Sequence, residues 1–316
     1  MQPIQGIHHI TAIAGDPQTN VDFYHNLLGQ RLIKKTVNFD DPGTYHFYFA
    51  DETGTPGTVL TFFPWRGAAR GRRGNGEVAA TAYTIRPGSL DYWRDRLAAH
   101  GVQMGELQDR FGAAVLPFQD PDGLILELIV DEGQATIQPW TGGPIPAEHE
   151  LRGFHSATLW VAEAQPTADL LTNSLGYTFA GQEGNRYRFQ AGARDVGRFI
   201  DLLERPGQTY GRLGAGSVHH IAYRTVDDSE QQEYLTALRG EGYNVTPVQD
   251  RQYFHSIYFR SPGGALFEIA TDAPGFLLDE TVAGLGSALR LPPWLEAQRE
   301  RLCRRLPEIE LKPVVD

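Results

Sequence analysis

Histidines and carboxylates recur at two fixed positions of this 316-residue chain, and both residue types bind divalent metals. The first position lies two residues before an alanine or threonine in a short apolar segment. The second lies four residues after a glycine that opens a later apolar segment. The two positions hold His9, Ala80, His155 and His220, and then Thr61, Glu127, Asp201 and Glu268.

Two histidines and one carboxylate on three different strands form the facial triad of non-haem Fe(II) oxygenases, which leaves other metal positions to water and substrate. Imidazole and carboxylate suit Fe(II) or Mn(II), and a chain with one cysteine cannot build a thiolate-rich zinc site. Glu268 lies between large apolar residues in ALFEIA, where burial of its charge without a cation would be costly. The pattern therefore predicts a metal site.

Four repeats of about 65 to 75 residues must position these groups. Each repeat begins with a β-like stretch, continues as a helix-like stretch that runs into a glycine, and ends with a strand that a glycine introduces. This order predicts one βαβββ module, four times over. The predicted modules span 4–65, 76–132, 151–205 and 215–273, with helices at 20–28, 90–100, 167–175 and 229–239.

A single module exposes one apolar sheet face, so the modules must pair. We therefore expect an α+β fold in which four βαβββ modules form two curved, open barrel-like sheets. The Pro/Gly-rich stretch WTGGPIPAEHE predicts a linker at 141–150, between an N-terminal domain, 1–140, and a C-terminal domain, 151–275. Residues 276–316 form a C-terminal extension with a predicted helix from about Pro293 to Leu306.

The pairing of modules decides which histidines lie together. Modules 1 and 4 would combine His9, His220 and Glu268. Modules 3 and 4 would combine His155 with His220 and Glu268, and would add Asp201. Adjacency along the chain favours modules 3 and 4, whereas the motif HHI followed by Thr or Ala occurs only in modules 1 and 4. The residues alone leave both pairings open.

The overall charge excludes several classes of partner. Lys and Arg number 28 against 39 Asp and Glu, which gives a formal net charge of −11 and no basic footprint for nucleic acid or anionic lipid. The lone Cys303 excludes an internal disulfide and suits a reducing compartment. The start MQPIQGIHHI lacks a signal-peptide pattern, and no stretch approaches the roughly 20 apolar residues that span a bilayer. These features predict a cytoplasmic protein without a membrane partner.

The segments GIHHIT, GSVHHIAYRT and DRQYFHSIYFRSPGGALFEIATD resemble the vicinal-oxygen-chelate superfamily, and in particular its hydroquinone ring-cleaving dioxygenase branch. The resemblance covers about residues 4–275. It implies Fe(II), bound by the first and fourth modules, and therefore by His9, His220 and Glu268. It also implies a small aromatic diol and O₂ as the substrates.

The resemblance further suggests residues that support the ligands or contact the substrate. A phenol and a guanidinium can hydrogen-bond an oxygen anion that develops near a metal, and His255, in the same segment, could shuttle a proton. The two histidines that precede the ligands should face away from them by strict strand alternation. The suggested residues are Tyr258, Arg251, His8, His219 and Thr11.

Other interpretations remain open at this point. Modules 2 and 3 read as a vestigial site without metal, and a catechol-type enzyme would use His155 in place of His9. A glyoxalase-type isomerase or lyase would keep the fold with Zn, Ni or Mn, and a non-catalytic protein would bind an aromatic compound without turnover. An exposed module edge or the C-terminal helix could support a homo-oligomer.

Overall fold

The computed structural model describes residues 1–133, 137–192 and 196–311. The described chain forms sixteen strands, four in each predicted module. They are β1 Ile7–Ala14, β2 Arg31–Val37, β3 Tyr45–Ala50, β4 Val59–Pro64, β5 Glu77–Ile85, β6 Gln108–Arg110, β7 Ala113–Gln119, β8 Ile125–Val130, β9 Phe154–Val161, β10 Thr178–Glu183, β11 Arg186–Gln190, β12 Phe199–Glu204, β13 Ser217–Thr225, β14 Gln249–Asp250, β15 Phe254–Arg260 and β16 Leu266–Pro274.

One helix follows the first strand of every module, as the sequence predicts. The helices of modules 1 and 3 are short α-helices that run on as π-helices, and three 3₁₀ turns lie in the C-terminal extension. The α-helices are α1 Pro17–Val21, α2 Leu90–Ala99, α3 Gln165–Asp169, α4 Asp228–Gly240 and α5 Arg299–Arg305; the π-helices are Asp22–Leu27 and Leu170–Ser174; the 3₁₀ turns are Phe276–Leu278, Val282–Gly284 and Glu296–Gln298. Within the described ranges, no helix is both long and apolar enough to cross a bilayer.

Local chemistry explains where two of these helices begin. Asp16 precedes α1, and its side chain accepts a hydrogen bond from the backbone N–H of Thr19 at 2.9 Å, while Pro17 opens the first turn. Asp227 caps α4 in the same way through the N–H of Glu230. The predicted C-terminal helix is shorter than expected, because residues 293–295 precede a 3₁₀ turn and only Arg299–Arg305 is α-helical.

The strands form two curved eight-stranded sheets. The first sheet has the order β14-β15-β16-β13-β1-β4-β3-β2, and the second has the order β10-β11-β12-β9-β5-β8-β7-β6. Modules 1 and 4 therefore share one sheet, and modules 2 and 3 share the other. In each sheet the first strands of the two modules pair antiparallel at the centre.

This pairing means that each sheet takes one module from either side of the predicted linker. The division into domains 1–140 and 151–275 stays a prediction. Each sheet contains strands from both sides of the predicted linker. The first sheet is complete only when β13 of module 4 pairs with β1 of module 1. Of the two pairings that the sequence left open, modules 1 and 4 lie together.

Strand alternation separates the two faces of the first sheet. Ile10 of β1 and Phe267 and Ile269 of β16 belong to the main apolar core, which the helices cover. Their neighbours His9 and Glu268 point to the concave face. There a smaller apolar cluster forms around them, made of Ile33, Tyr48, Ala50, Val59, Ala222, Tyr253, Phe254, Ala270, Phe276 and Leu285.

The C-terminal extension packs against β2 through a buried charge. The ammonium of Lys34 is fully buried and donates to the carboxylate of Asp279 at 2.6 Å and to that of Glu280. Such a charge is tolerated inside a protein only when it is paired in this way. The extension is therefore fixed against the edge of the first sheet, beside the concave face.

Candidate metal centre

His9, His220 and Glu268 converge on one point at the centre of the first sheet. Each offers one ligand atom, and these atoms lie within 4.8 Å of one another. The Nε2 atoms of His9 and His220 lie 3.3 and 2.9 Å from Oε2 of Glu268. All three side chains are buried. The arrangement is a possible divalent metal site of the type that the sequence predicts.

Two β-bulges flank the ligands and explain how neighbouring histidines serve the same site. In the pairing of β1 with β13, Ile7 and His9 face consecutive residues of the partner strand, so His8 is the extra residue. His219 is the extra residue on β13 by the same criterion. Bulges commonly re-aim a side chain next to a functional site. The expectation that both histidines face away from the ligands is wrong for this reason.

Nδ1 of each bulged histidine lies within hydrogen-bond distance of Nδ1 of the neighbouring ligand histidine, the ring nitrogen that does not face Glu268. Nδ1 of His8 lies 2.9 Å from Nδ1 of His9, and Nδ1 of His219 lies 2.8 Å from Nδ1 of His220. If the ligand donates its Nδ1 proton in each pair, its Nε2 lone pair is left facing Glu268. Partners of this kind fix the tautomer and orientation of a metal-binding histidine.

The polar groups present fit a divalent cation. Within the described residues, Oε2 of Glu268 has no hydrogen-bond donor of regular geometry, although its side chain is fully buried. Its other oxygen accepts a hydrogen bond from Ser256. A buried carboxylate oxygen without a donor is costly, and two imidazole nitrogens aim at the same place. A metal ion bound there would satisfy all three groups at once.

The ionisation of these groups also favours metal binding. Burial alone would raise the pKa of Glu268, but the two imidazoles outweigh it and hold that pKa well below its usual range. Burial lowers the pKa of His220, against the attraction of Glu268. Burial, with His220 beside it, lowers the pKa of His219 to about 3. Near neutral pH the centre thus offers the carboxylate of Glu268 and the uncharged imidazole of His220, which are forms that bind metals.

A cavity of about 550 Å³ opens onto the two ligand histidines. Its walls combine aromatic side chains with polar and charged ones, the latter including Asn38, Asp40, Asp41, Thr246, Gln249 and Arg251. The lining residues include His9, His46, Tyr48, Phe63, Trp65, His219, His220, Arg251, Phe254 and Tyr258.

Arg251 and Tyr258, which the sequence predicts near the substrate, both line this cavity. Nε of Arg251 donates to the hydroxyl of Tyr258 at 3.2 Å, and Nη1 of Arg251 contacts Asp40 at 3.1 Å. The Tyr258 ring meets His220 edge to face, with 5.6 Å between ring centres. Burial and the nearby Glu268 raise the pKa of Tyr258, against the attraction of Arg251. Its phenol therefore keeps its proton at neutral pH.

The other two predicted residues, Thr11 and His255, do not line the cavity. Thr11 shares the face of His9 and accepts a hydrogen bond from Thr61 at 2.9 Å. His255 does not lie in the cavity, because alternation along β15 places it on the opposite face from Tyr258. Its Nδ1 contacts Asp228 of α4 at 2.6 Å. The structure does not place His255 where it would shuttle a proton at the centre.

Sequence reasoning missed His46, Tyr48 and Ser256. His46 and Tyr48 lie on β3 and line the cavity, while Ser256 on β15 reaches Glu268. A signal was present: YHFYF in module 1 and FHSIYF in module 4 are equivalent third segments of the repeat.

The second sheet corrects one position of the repeat alignment. Thr158 lies opposite Asp201, just as Thr11 lies opposite Thr61. Two residues earlier in module 3 is Ser156, so Ser156 and not His155 occupies the ligand position. His155 is the extra residue of a bulge on β9, which makes it the equivalent of a bulged histidine of the first sheet.

Arginines neutralise the carboxylates of the second sheet. Arg110 contacts Glu127 with both terminal nitrogens, at 2.7 and 2.8 Å. Asp201 is fully buried and receives Arg186 at 3.0 Å and Arg188 at 2.8 and 2.9 Å. The expected vestigial site is thus filled by the chain's own cations, and in the described residues the cluster suited to a metal lies in the first sheet alone.

Comparison with protein families identifies the fold. The model of the Glyoxalase/Bleomycin resistance protein/Dioxygenase superfamily matches residues 6–128 and 153–269. The chain belongs to this superfamily. Its fold is also similar to that of glyoxalase I from Zea mays, with a TM-score of 0.62 at 16% identity over 84% of this chain and 92% of that one.

Within the superfamily, nearly full-length relatives carry dioxygenase names. The chain is 47% identical over 97% of both chains to the protein named "Putative ring-cleaving dioxygenase MhqO" of Bacillus subtilis (strain 168). It is 39% identical over 96% of both chains to the chlorohydroquinone/hydroquinone 1,2-dioxygenase of Sphingobium indicum. A crystal structure titled as a putative dioxygenase from Bacillus subtilis matches with a TM-score of 0.95, at 46% identity over 99% of both chains.

Proposed function

We propose that this protein is an Fe(II)-dependent ring-cleaving dioxygenase that acts on hydroquinone-type aromatic diols with O₂. The observation that carries the proposal is the buried set of His9, His220 and Glu268 at the foot of an aromatic cavity. Two imidazole nitrogens and one carboxylate leave several positions of a six-coordinate metal open, as O₂ chemistry at non-haem Fe(II) requires. The ring-cleaving names of relatives that match nearly the whole chain point the same way.

His9, His220 and Glu268 would hold the metal, with Mn(II) as the alternative to Fe(II). When bound, Fe(II) would orient the diol and O₂ and allow charge to pass between them. His8 and His219 would keep the two ligand imidazoles in the tautomer that presents Nε2. Four of the five residues thus act in two equivalent pairs, one from each module.

Arg251 and Tyr258 would act on the substrate. The guanidinium favours an anionic oxygen in the cavity, and therefore favours loss of a phenolic proton from the diol. The Tyr258 hydroxyl accepts from Arg251 and lines the cavity, where it would donate its proton to an oxygen of the substrate. The aromatic walls exclude water from the ring, which strengthens both interactions. With Cys303 as its one cysteine, we expect the enzyme to work in the cytoplasm.

The test is anaerobic reconstitution with Fe(II), followed by oxygen uptake on addition of hydroquinone, methylhydroquinone or catechol. We expect uptake with the hydroquinones and a ring-opened product of higher ultraviolet absorbance. Glu268→Gln, which keeps the side-chain shape, is the control and should bind Fe(II) weakly and consume no oxygen.

Other outcomes separate the alternatives. Turnover without O₂, supported by Zn, Ni or Mn, would indicate a glyoxalase-type isomerase or lyase. Tight binding of an aromatic compound without turnover would indicate a binding protein. A clear preference for catechol over the hydroquinones would replace the proposed substrate class, and would leave the metal ligands unchanged.

A further inference from the structure

Tyr48 of module 1 occupies the same place in its sheet half as Tyr258 does in module 4. Tyr258 pairs with Glu268 across β15 and β16, and Tyr48 pairs with Thr61 across β3 and β4. The cavity is lined by both tyrosines. The centre is therefore approached by one phenol from each module.

The residues two positions earlier differ in a way that matters chemically. Ser256 donates to Glu268 in module 4, and its equivalent in module 1 is His46. Nε2 of His46 lies 2.8 Å from the hydroxyl of Thr61, and Nδ1 of His46 lies 2.9 Å from the hydroxyl of Tyr48. An imidazole thus stands between Tyr48 and Thr61.

The direction of this chain follows from the proton of Thr61. With that proton given to Thr11, 2.9 Å away, the oxygen of Thr61 accepts from Nε2–H of His46. A neutral imidazole with a proton on Nε2 has a bare Nδ1, which accepts from the hydroxyl of Tyr48. Burial lowers the pKa of His46, with His9 and His220 adding to the effect, so the imidazole stays neutral. The proton of Tyr48 is thereby committed to His46.

The two phenols consequently offer opposite groups to the cavity. The oxygen of Tyr258 accepts from Arg251, so Tyr258 has a proton to donate. The proton of Tyr48 is used by His46, so its oxygen can only accept. Tyr48 lines the same cavity as His9 and His220.

We propose that Tyr48, held by His46, is a further substrate-contacting residue that accepts a hydrogen bond from a free ring hydroxyl. Together with Tyr258 it matches a diol that carries one deprotonated oxygen and one intact hydroxyl. This assignment rests on the proposed function and adds a cause of specificity to it. A ring with an ether in place of the second hydroxyl has no proton for Tyr48.

The experiment measures binding to the Fe(II) protein without oxygen. Dissociation constants are determined by calorimetry for hydroquinone, for 4-methoxyphenol, in which a methyl group replaces the second hydroxyl proton, and for phenol, which lacks that hydroxyl and controls for the added bulk. We expect hydroquinone to bind about three- to tenfold more tightly than either analogue, as one neutral hydrogen bond allows. In Tyr48→Phe this preference should fall to about one, while in the control Tyr258→Phe all three ligands weaken alike.

Several results would overturn the assignment. They are an absent preference in the wild type, a preference that Tyr48→Phe retains, or a preference that Tyr258→Phe removes equally. Oxygen uptake with hydroquinone combined with any of these would overturn this inference alone. Failure of every phenol to bind the metal-loaded protein would overturn the proposed function as well.

A second measurement does not depend on how well Tyr48→Phe folds. The ¹⁵N chemical shifts of His46 in the metal-free wild-type protein report which ring nitrogen is protonated. We expect a proton on Nε2 and none on Nδ1. A proton on Nδ1 would make Tyr48 the acceptor from His46 and would overturn the inference.

Discussion

The centres of the two sheets share strand order and two bulges, and each contains a buried carboxylate that needs a positive partner. The two sheets supply that partner in different ways. In the first sheet Glu268 faces two imidazole nitrogens and has one buried oxygen without a regular donor. In the second sheet Asp201 occupies the equivalent place and accepts three hydrogen bonds from Arg186 and Arg188. One carboxylate is left for an external cation, and the other is neutralised by the chain.

The difference shows what separates a metal site from a structural ion pair in this fold. A buried carboxylate needs a positive partner in either sheet. Arginine supplies it in the second sheet from the strand next to the carboxylate, where Arg188 lies opposite Asp201. At that position the first sheet has Tyr258, which brings no charge. The neighbouring strand thus decides whether the centre stays open to a metal.

The largest effect should come from loss of one imidazole of the first sheet. His9→Ala removes one of three ligands, so we expect Fe(II) affinity and oxygen uptake to fall by more than the roughly 100-fold that loss of a supporting partner costs. His155→Ala in the second sheet should leave both unchanged. Metal content and oxygen-electrode rates measured in parallel check this, and the reverse pattern would place the site in the second sheet, which modules 2 and 3 form.

Removal of the charge at Asp201 should affect folding instead of catalysis. Asp201→Asn leaves two arginines buried without their partner, so we expect the free energy of unfolding to fall by about 3–5 kcal/mol. Oxygen uptake per folded protein should not change. Urea unfolding at neutral pH checks the stability, and a large loss of turnover with normal stability would contradict a structural role.

Acid should remove the same contribution in the wild-type protein. Burial would raise the pKa of Asp201, but Arg188 and Arg186 outweigh it and lower that pKa below its usual range. A carboxyl whose pKa is lower in the folded state stabilises the protein above the unfolded pKa of about 4, and this is lost as the pH falls through the folded pKa. The gap between wild type and Asp201→Asn should therefore narrow below about pH 4. A gap that stays constant down to pH 2 would be the opposite result.

The bulged histidines should have a smaller effect on metal binding than the ligands. His219→Ala frees the His220 imidazole to rotate, so we expect a 10- to 100-fold loss of Fe(II) affinity. His219→Gln, which can still hydrogen-bond Nδ1 of His220, should recover part of it. Metal titration of the two variants checks the prediction, and equal losses in both would argue against an orienting role.

The smallest expected effect comes from an attempt to rebuild the second site. The double variant Ala80→His with Ser156→His gives the second sheet two imidazoles at the ligand positions. The arginines still occupy Glu127 and Asp201, so we expect no added metal. Elemental analysis should find one iron per chain, and two would show that imidazoles outcompete the arginines.

Much of the architecture could be predicted because it follows from patterns along the chain. The repeats and their strands recur at regular intervals along the chain. His9, His220 and Glu268 stand at positions that these repeats share. Pairing of modules 1 and 4 could not be decided, because it depends on contacts between β1 and β13 that lie far apart in the sequence.

Cross-strand relations explain what the sequence did not reveal. Arg110 neutralises Glu127 and His46 meets Thr61 only because of strand register. A bulge adds a residue that regular spacing does not show, and so the repeat pattern assigns His155 to the position that Ser156 occupies in the structure. His255 is a simpler case, because alternation along β15 places it on the opposite face from Tyr258.

The pairing of the first module with the last sets the order in which a ribosome can complete this protein. His220 leaves the ribosome 211 residues after His9, which is roughly 10–40 s at ordinary rates of synthesis. The strands of the second sheet are consecutive and can close within that time. We expect pulsed hydrogen exchange during refolding to protect β5 and β9 before β1 and β13, and the reverse order would refute this. An unfinished chain would then present no assembled centre to capture the wrong cation.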